Sequence, residues 1–177
     1  MREDPGTLSD DDARGLTTSD VIDAYRAHRL DAGDEPLSDA AHNLLYYVVK
    51  DLLEDHSGVL ALPIEFAKDQ LWTLLVMDDG VRLLRLDEDA PEVLVEFLGE
   101  LRCDFYSEVV SVTDGALMAH LHFADSRLPE SIELDLPLQH PPGRDVRLDD
   151  AVLAREESIK RLRALLREWA AVRPFRA

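Results

Sequence analysis

The fold is decided by the stretch that begins at residue 58 and reads GVLALPIEFAKDQLWTLLVMDDGVRLLRL (58–86). It contains three apolar runs of strand length, Val59–Phe66, Leu71–Met77 and Val81–Leu86, separated by short polar turns. Asp79-Gly80 is typical of a tight hairpin, because glycine adopts the left-handed dihedral angles that such a turn needs. Pro63 cannot donate to a strand ladder, so the first run is expected at a sheet edge. The stretch therefore predicts a three-stranded antiparallel meander.

A second meander is predicted further along the chain, in EVVSVTDGALMAHLHF (108–123) and SIELDL (131–136). Its first two strands flank another turn dipeptide, Asp114-Gly115. Between the two meanders, Asp89-Ala90-Pro91 is typical of a helix start, since proline is favoured in a first turn. The apolar residues that follow are spaced for one helical face, so a short helix is predicted over Pro91–Leu101.

Three further helices are expected. A short one, with Thr18 or Ser19 as its cap, ends near Asp31, and a second, strongly periodic one begins after a Ser38 cap. The last helix spans Asp149–Val172. The predicted fold class is therefore α+β, with an antiparallel β-sheet (two meanders) packed by helices in the order α-α-βββ-α-βββ-α.

The length of 177 residues fits one domain, 17–177, preceded by a flexible acidic arm, 1–16. Asp and Glu number 37 against 19 Lys and Arg, which gives a formal net charge of −18. Such a surface repels phosphate backbones and anionic lipids, so we expect neither nucleic acid nor a membrane as a partner. The single cysteine, Cys103, cannot form an intrachain disulfide. Together with the absence of a signal-peptide pattern, this predicts a cytoplasmic location.

Two histidines and two carboxylates are predicted to share one face of the second meander. Alternation places His120 and His122 on one face of their strand. Pairing Leu121 with Leu134 sets His122 opposite Glu133 and His120 opposite Asp135. Such a cluster could ligate a metal ion or supply a general acid and base. The alternative is a half-exposed sheet face with ordinary cross-strand pairs, and on that interpretation no metal ligand, catalytic residue or cofactor is predicted.

The last helix is the other candidate site, because it is rich in arginine on a strongly acidic chain. Its apolar stripe could pack within the chain, or it could dock a second subunit or another protein. The two interpretations stay open. On the second, the partner-binding residues are Ile159, Leu162, Leu166 and Trp169.

The element order resembles that of the type III secretion chaperone-like fold, in particular YbjN-type bacterial proteins. The resemblance covers about Leu37–Val172. It depends on Pro91–Leu101 as the middle helix and on the run IELDLPL (132–138), which leads through a loop into the last helix. It implies a non-enzymatic and often dimeric protein whose sheet or helix surface holds a partner segment.

Three hypotheses follow. The first is a non-enzymatic cytoplasmic protein-binding or chaperone-like module that forms a homodimer. The second is a small metal-binding protein or enzyme that uses His120, His122, Glu133 and Asp135. The third concerns the fold: hairpins followed by a C-terminal helix also suit a bacterial PH-like domain, although a helix at Pro91–Leu101 suits it poorly.

Overall fold

The computed structural model of the chain describes residues 15–66, 70–101, 103–139 and 150–172. It confirms the α+β class. In chain order, the elements are α1 (Thr18–Asp31), α2 (Asp39–Asp55), β1 (Gly58–Phe66), β2 (Gln70–Met77), β3 (Gly80–Asp87), β4 (Glu92–Gly99), β5 (Phe105–Thr113), β6 (Ala116–Ala124), β7 (Ile132–Gln139) and α3 (Asp150–Val172).

The strands form two antiparallel meanders, each its own sheet. The first sheet has the order β1-β2-β3-β4 and the second has the order β5-β6-β7. β1 is an edge strand, as Pro63 predicts. Its outer side is occupied by α3, since Arg155 donates a hydrogen bond to the Pro63 carbonyl at 2.9 Å and Arg161 donates to the Val59 carbonyl at 3.2 Å.

The predicted helix at Pro91–Leu101 is wrong, because Glu92–Gly99 is strand β4, paired antiparallel with β3. A short apolar run fits a helical face and a strand about equally well, so periodicity alone could not separate the two. The turn that precedes this run favours the strand. The Asp87 carboxylate accepts hydrogen bonds from the backbone N–H groups of Asp89 and Ala90, at 3.1 and 3.2 Å. This local turn reverses the chain and leaves the next residues beside the open edge of β3.

Two hydrophobic cores lie on opposite faces of the first sheet. One core lies between that sheet and the helices α1 and α2. The other lies between the two sheets and is closed by α3. The central strands β2 and β3 are therefore covered on both faces, which explains their nearly continuous apolar sequence. Fully buried members of the core between the sheets include Leu62, Leu74, Leu83, Leu121, Phe123, Leu162 and Leu166.

The two N-terminal helices begin at side-chain caps. Thr17 caps α1, one residue before the predicted cap: its hydroxyl accepts from the Asp20 N–H, and the Asp20 carboxylate accepts from the Thr17 N–H. Ser38 caps α2 as predicted. The capping residue of α3 lies outside the described residues. These caps satisfy backbone donors that a helix start leaves without an intrahelical partner.

A buried carboxylate organises the junction between the sheets. The Asp125 side chain is fully buried and accepts hydrogen bonds from Arg127 at 2.8 and 3.0 Å. Arg127 also donates to the carbonyls of Leu98 and Glu100. The Arg127 side chain therefore fixes the segment that connects β4 to β5. Cys103, buried in the same junction, has a φ of 43°.

Most of the predicted acidic arm, residues 1–14, lies outside the described residues. Of its described part, Leu16 donates a backbone hydrogen bond to the Gly58 carbonyl at 3.2 Å. The division into an arm and one domain stays a prediction.

The observed order is α-α-ββββ-βββ-α. It lacks, between β3 and β5, the middle helix on which the chaperone-like resemblance partly depends. The same helix was the feature that suited a PH-like fold poorly, and that objection is removed. Both resemblances stay predictions.

Candidate functional site

The outer face of the second sheet, which points away from the core, carries the histidines and carboxylates singled out in the sequence. The predicted register is confirmed: His120 pairs with Asp135, Leu121 with Leu134, and His122 with Glu133. The buried alternate residues Leu121 and Leu134 hold this register, since a shift by one residue would expose both.

His120 is hydrogen-bonded at both ring nitrogens by residues from the two neighbouring strands. Its Nδ1 lies 2.5 Å from Asp135 Oδ1 on β7, and its Nε2 lies 3.0 Å from Ser111 Oγ on β5. An ionised carboxylate only accepts hydrogen bonds, so Nδ1 carries the proton. In the neutral imidazole, Nε2 is then the acceptor and the Ser111 hydroxyl donates to it. The three residues form a Ser–His–Asp relay across three adjacent strands.

The four residues predicted as possible metal ligands do not converge. His120 is hydrogen-bonded to Ser111 and Asp135. His122 instead packs edge-to-face against Phe105, with ring centroids 5.2 Å apart. No hydrogen bond or ion pair joins His122 to Glu133 in the described structure, although the two residues are paired in register.

A different group comes closer to metal-ligand geometry. Among the described residues, only His56, Asp78 and Asp79 bring three histidine, cysteine or carboxylate ligand atoms within 4.8 Å of one another. Both oxygens of Asp79, however, accept hydrogen bonds from Arg82, at 2.6 and 2.7 Å. The Arg82 hydrogen bonds hold the pKa of this carboxyl below its usual value. A metal ion would have to displace the guanidinium, so this group is better described as an ion-pair network at the β2–β3 turn.

A cavity of about 1000 Å³ lies beside the relay. Its walls come from α1, β1, α3 and the second sheet. Two of the wall residues connect the cavity to the relay: Asp135 is a member of the relay, and Met118 is its neighbour. Met118 pairs directly with Ser111 in the ladder, and Asp135 is bonded to His120. Eight Asp or Glu residues line the cavity, against Arg155, Arg161 and His28. The cavity is therefore acidic.

The apolar stripe of α3 faces the interior of the chain. Leu162 and Leu166 are fully buried, Ile159 is nearly so, and Trp169 packs against the same core in a partly buried position. Of the two interpretations of this helix, the structure supports intramolecular packing. These four side chains close the core between the sheets and do not present a free docking surface.

The exposed apolar surface lies elsewhere, on the strands next to the junction of the sheets. Of thirteen large apolar residues exposed among those described, seven belong to β4 and β5. Both strands are edges of their sheets. On β5 these are Phe105, Val109, Val110 and Val112, of which Val112 is the most open at 72% exposure.

β5 carries one charged residue, Glu108, and that charge is neutralised by α3. Arg163 donates to Glu108 Oε1 at 2.8 Å, Arg167 donates to it at 2.7 Å, and the Tyr106 hydroxyl donates to Oε2 at 2.5 Å. The Arg163 hydrogen bond, more than any other contact, lowers the pKa of Glu108 to about 2. Burial, followed by the bond to Glu108, raises the pKa of Tyr106 to about 12. The edge strand is thus largely apolar, and its one carboxylate is paired with two arginines, on a strongly acidic molecule.

The sequence interpretation missed Ser111 and the β5 edge. Ser111 has the same alternation parity as Val109, which faces His120 across the β5–β6 hairpin, so the hairpin register could have placed it on the histidine face. The exposure of β5 could not be deduced from the sequence, because its valines are typical of a buried strand.

Comparisons with protein-family models, with curated proteins and with solved structures yield no match to this chain. In the part of the chain that the structure describes, no helix is long and apolar enough to cross a membrane.

Proposed function

We propose that the protein is a cytoplasmic protein-binding module that associates through the open edge of β5, with a second copy of the chain as its partner. The observation that carries this proposal is an edge strand of nine residues with four exposed apolar side chains. An open edge presents unpaired backbone N–H and C=O groups, which pair readily with another strand. Such an edge is a hazard for a monomer and a ready interface for a dimer.

Charge favours β5 over the other apolar edge. β4 also exposes apolar side chains, but it carries two exposed glutamates, Glu92 and Glu96. Two copies paired through β4 would bring these carboxylates together, which opposes association. Phe97 of β4 is also covered in part by Arg82, whose guanidinium lies 4.8 Å from the ring centroid. β5 has no comparable obstacle.

Charge also permits a second copy as the occupant at this edge. Each chain carries a net charge of −18, so two copies repel over most of their surfaces. On β5, Arg163 and Arg167 compensate Glu108, so the like charge is locally removed. Antiparallel pairing about a two-fold axis at Val110 would place this valine against its equivalent in the second copy. A chaperone-like role would use the same edge to hold an extended segment of a client.

The test is the oligomeric state of the full chain. We expect light scattering to give twice the monomer mass at micromolar concentration. Changing both Val110 and Val112 to Lys should give a monomer, or weaken dimerisation at least about tenfold, because it places lysines along the paired edge. The matched control is Tyr47→Lys, which changes an equally open apolar residue of α2 (67% exposed) and should leave the mass unchanged.

Two results would overturn the proposal. One is a wild-type chain that is monomeric from low micromolar to millimolar concentration. The other is a dimer that persists in the double lysine variant but dissociates when α2 is changed. Hydrogen exchange gives an independent readout, because β5 amides should become more protected as the protein concentration rises.

A further inference from the structure

We propose that Ser111, His120 and Asp135 act as a nucleophilic relay that cleaves carboxylic esters, with Ser111 as the acyl acceptor. This activity goes beyond strand-mediated association and does not depend on it. Ser111 belongs to the edge strand β5, but alternation places it on the outer face of the sheet, opposite to the face of Val110 and Val112.

The geometry meets the requirements for an activated serine. The nucleophile lies within hydrogen-bond distance of a base, and the base is oriented by a third group, at 3.0 and 2.5 Å. Asp135 fixes the imidazole in the tautomer whose Nε2 faces the hydroxyl. It also stabilises the imidazolium that forms when the serine proton is transferred. Ser111 and His120 are thus catalytic residues, and Asp135 is a positioning residue.

The surroundings indicate the class of substrate. Met118, opposite Ser111, leads into the cavity of about 1000 Å³, which is large enough for a small organic acyl or alcohol group. The carboxylates that line this cavity disfavour an anionic substrate. The chemistry therefore fits an uncharged or cationic carboxylic ester.

The reaction balances with water as the only co-reactant. Ser111 Oγ attacks the ester carbonyl carbon while its proton passes to His120 Nε2. The carbon–oxygen bond to the leaving group then breaks, and the alcohol departs with that proton. Water, deprotonated by the same Nε2, attacks the acyl-serine. This second step releases the carboxylic acid and returns the proton to Ser111. Asp135 stays ionised throughout.

Covalent labelling tests the nucleophile directly. An uncharged alkyl fluorophosphonate should form a bond from phosphorus to Ser111 Oγ with loss of fluoride, and peptide mass spectrometry should locate the adduct at residue 111. We expect labelling to be lost in Ser111→Ala and to fall at least about 100-fold in His120→Gln, because the general base is removed. Ser107→Ala is the matched control, since Ser107 lies on the same strand and face, opposite His122.

Hydrolysis of p-nitrophenyl butyrate gives the second readout, and it should follow the same order among the variants. Turnover that survives in Ser111→Ala, or a fluorophosphonate adduct at another serine or at none, would overturn the relay. For Asp135, the readout is the NMR signal of the His120 Nδ1 proton. Asp135→Asn should both abolish that signal and slow the labelling of Ser111. If the signal is lost and labelling is unchanged, Asp135 has no positioning role.

The relay and the proposed dimer can fail separately. Diluted below its dimer dissociation constant, the wild-type chain should be monomeric and should still be labelled at Ser111. A labelled wild type that stays monomeric up to millimolar concentration would refute the dimer alone, and an unlabelled dimer would refute the relay alone.

Discussion

Glu108 connects the second sheet to the last helix through charge-assisted hydrogen bonds. Its carboxylate accepts from two arginines of α3 and from Tyr106 on its own strand. Bonds of this kind are stronger than neutral ones, and loss of the carboxylate would leave Arg163 partly buried without its partner. Glu108 is therefore expected to contribute to stability only while it is ionised.

Glu108→Gln should lower the free energy of unfolding by about 1–3 kcal/mol at neutral pH. The pKa of Glu108 is about 2 in the folded chain, below its ordinary value of 4.5. Its contribution is then fully present above pH 4.5 and is lost as the pH falls toward 2. Denaturant unfolding of both proteins between pH 2.5 and 7 measures the difference. A gap that stays constant over this range would contradict the prediction, and Glu96→Gln, at an exposed residue of β4, serves as the control.

At the scale of elements, α3 is held by its apolar stripe on one side and its arginines on the other. The stripe fills the core between the sheets. The arginines reach the open edge of β1 and the carboxylate of β5. The helix thus closes the β1 side of the first sheet and leaves β5 as the open apolar edge of the second.

Leu162→Ala should destabilise the chain by roughly 2–5 kcal/mol, because it leaves a cavity at a fully buried position. Leu153→Ala makes the same chemical change on the same helix, at a residue that is 47% exposed. It should change stability by no more than about 0.5 kcal/mol. Chemical denaturation of the two variants provides the comparison. Equal, small effects would mean that α3 does not close this core.

At the scale of the whole molecule, the net charge of −18 opposes any contact between copies. Salt screens this repulsion, since the Debye length falls from about 30 Å at 0.01 M to about 10 Å at 0.1 M. An apolar β5 interface, whose one carboxylate is already paired with arginines of the same chain, should therefore tighten as salt is added.

We expect the dimer dissociation constant to fall severalfold between about 20 and 500 mM NaCl, measured by analytical ultracentrifugation. The variant with lysine at Val110 and Val112 should stay monomeric throughout and serves as the control. A dimer that weakens with salt would instead indicate an interface made of opposite charges, which is not what β5 offers.

The sequence alone determined the two meanders, the edge position of β1, three of the helices and the register of β6 against β7. These features depend on local signals: turn dipeptides, helix caps, a proline without an N–H group, and alternation that exposes a whole apolar face if it slips by one residue. The same signals placed His120 opposite Asp135.

Only the tertiary structure decided the rest. β4 is a strand because an open edge of β3 lay beside it, and that partner is not encoded within the run itself. The α3 stripe is core because the two sheets meet beneath it. The valines of β5 are open because no further strand of the described residues pairs with that edge. Ser111 joined His120 for the same reason, since contacts between elements depend on where the whole chain places them.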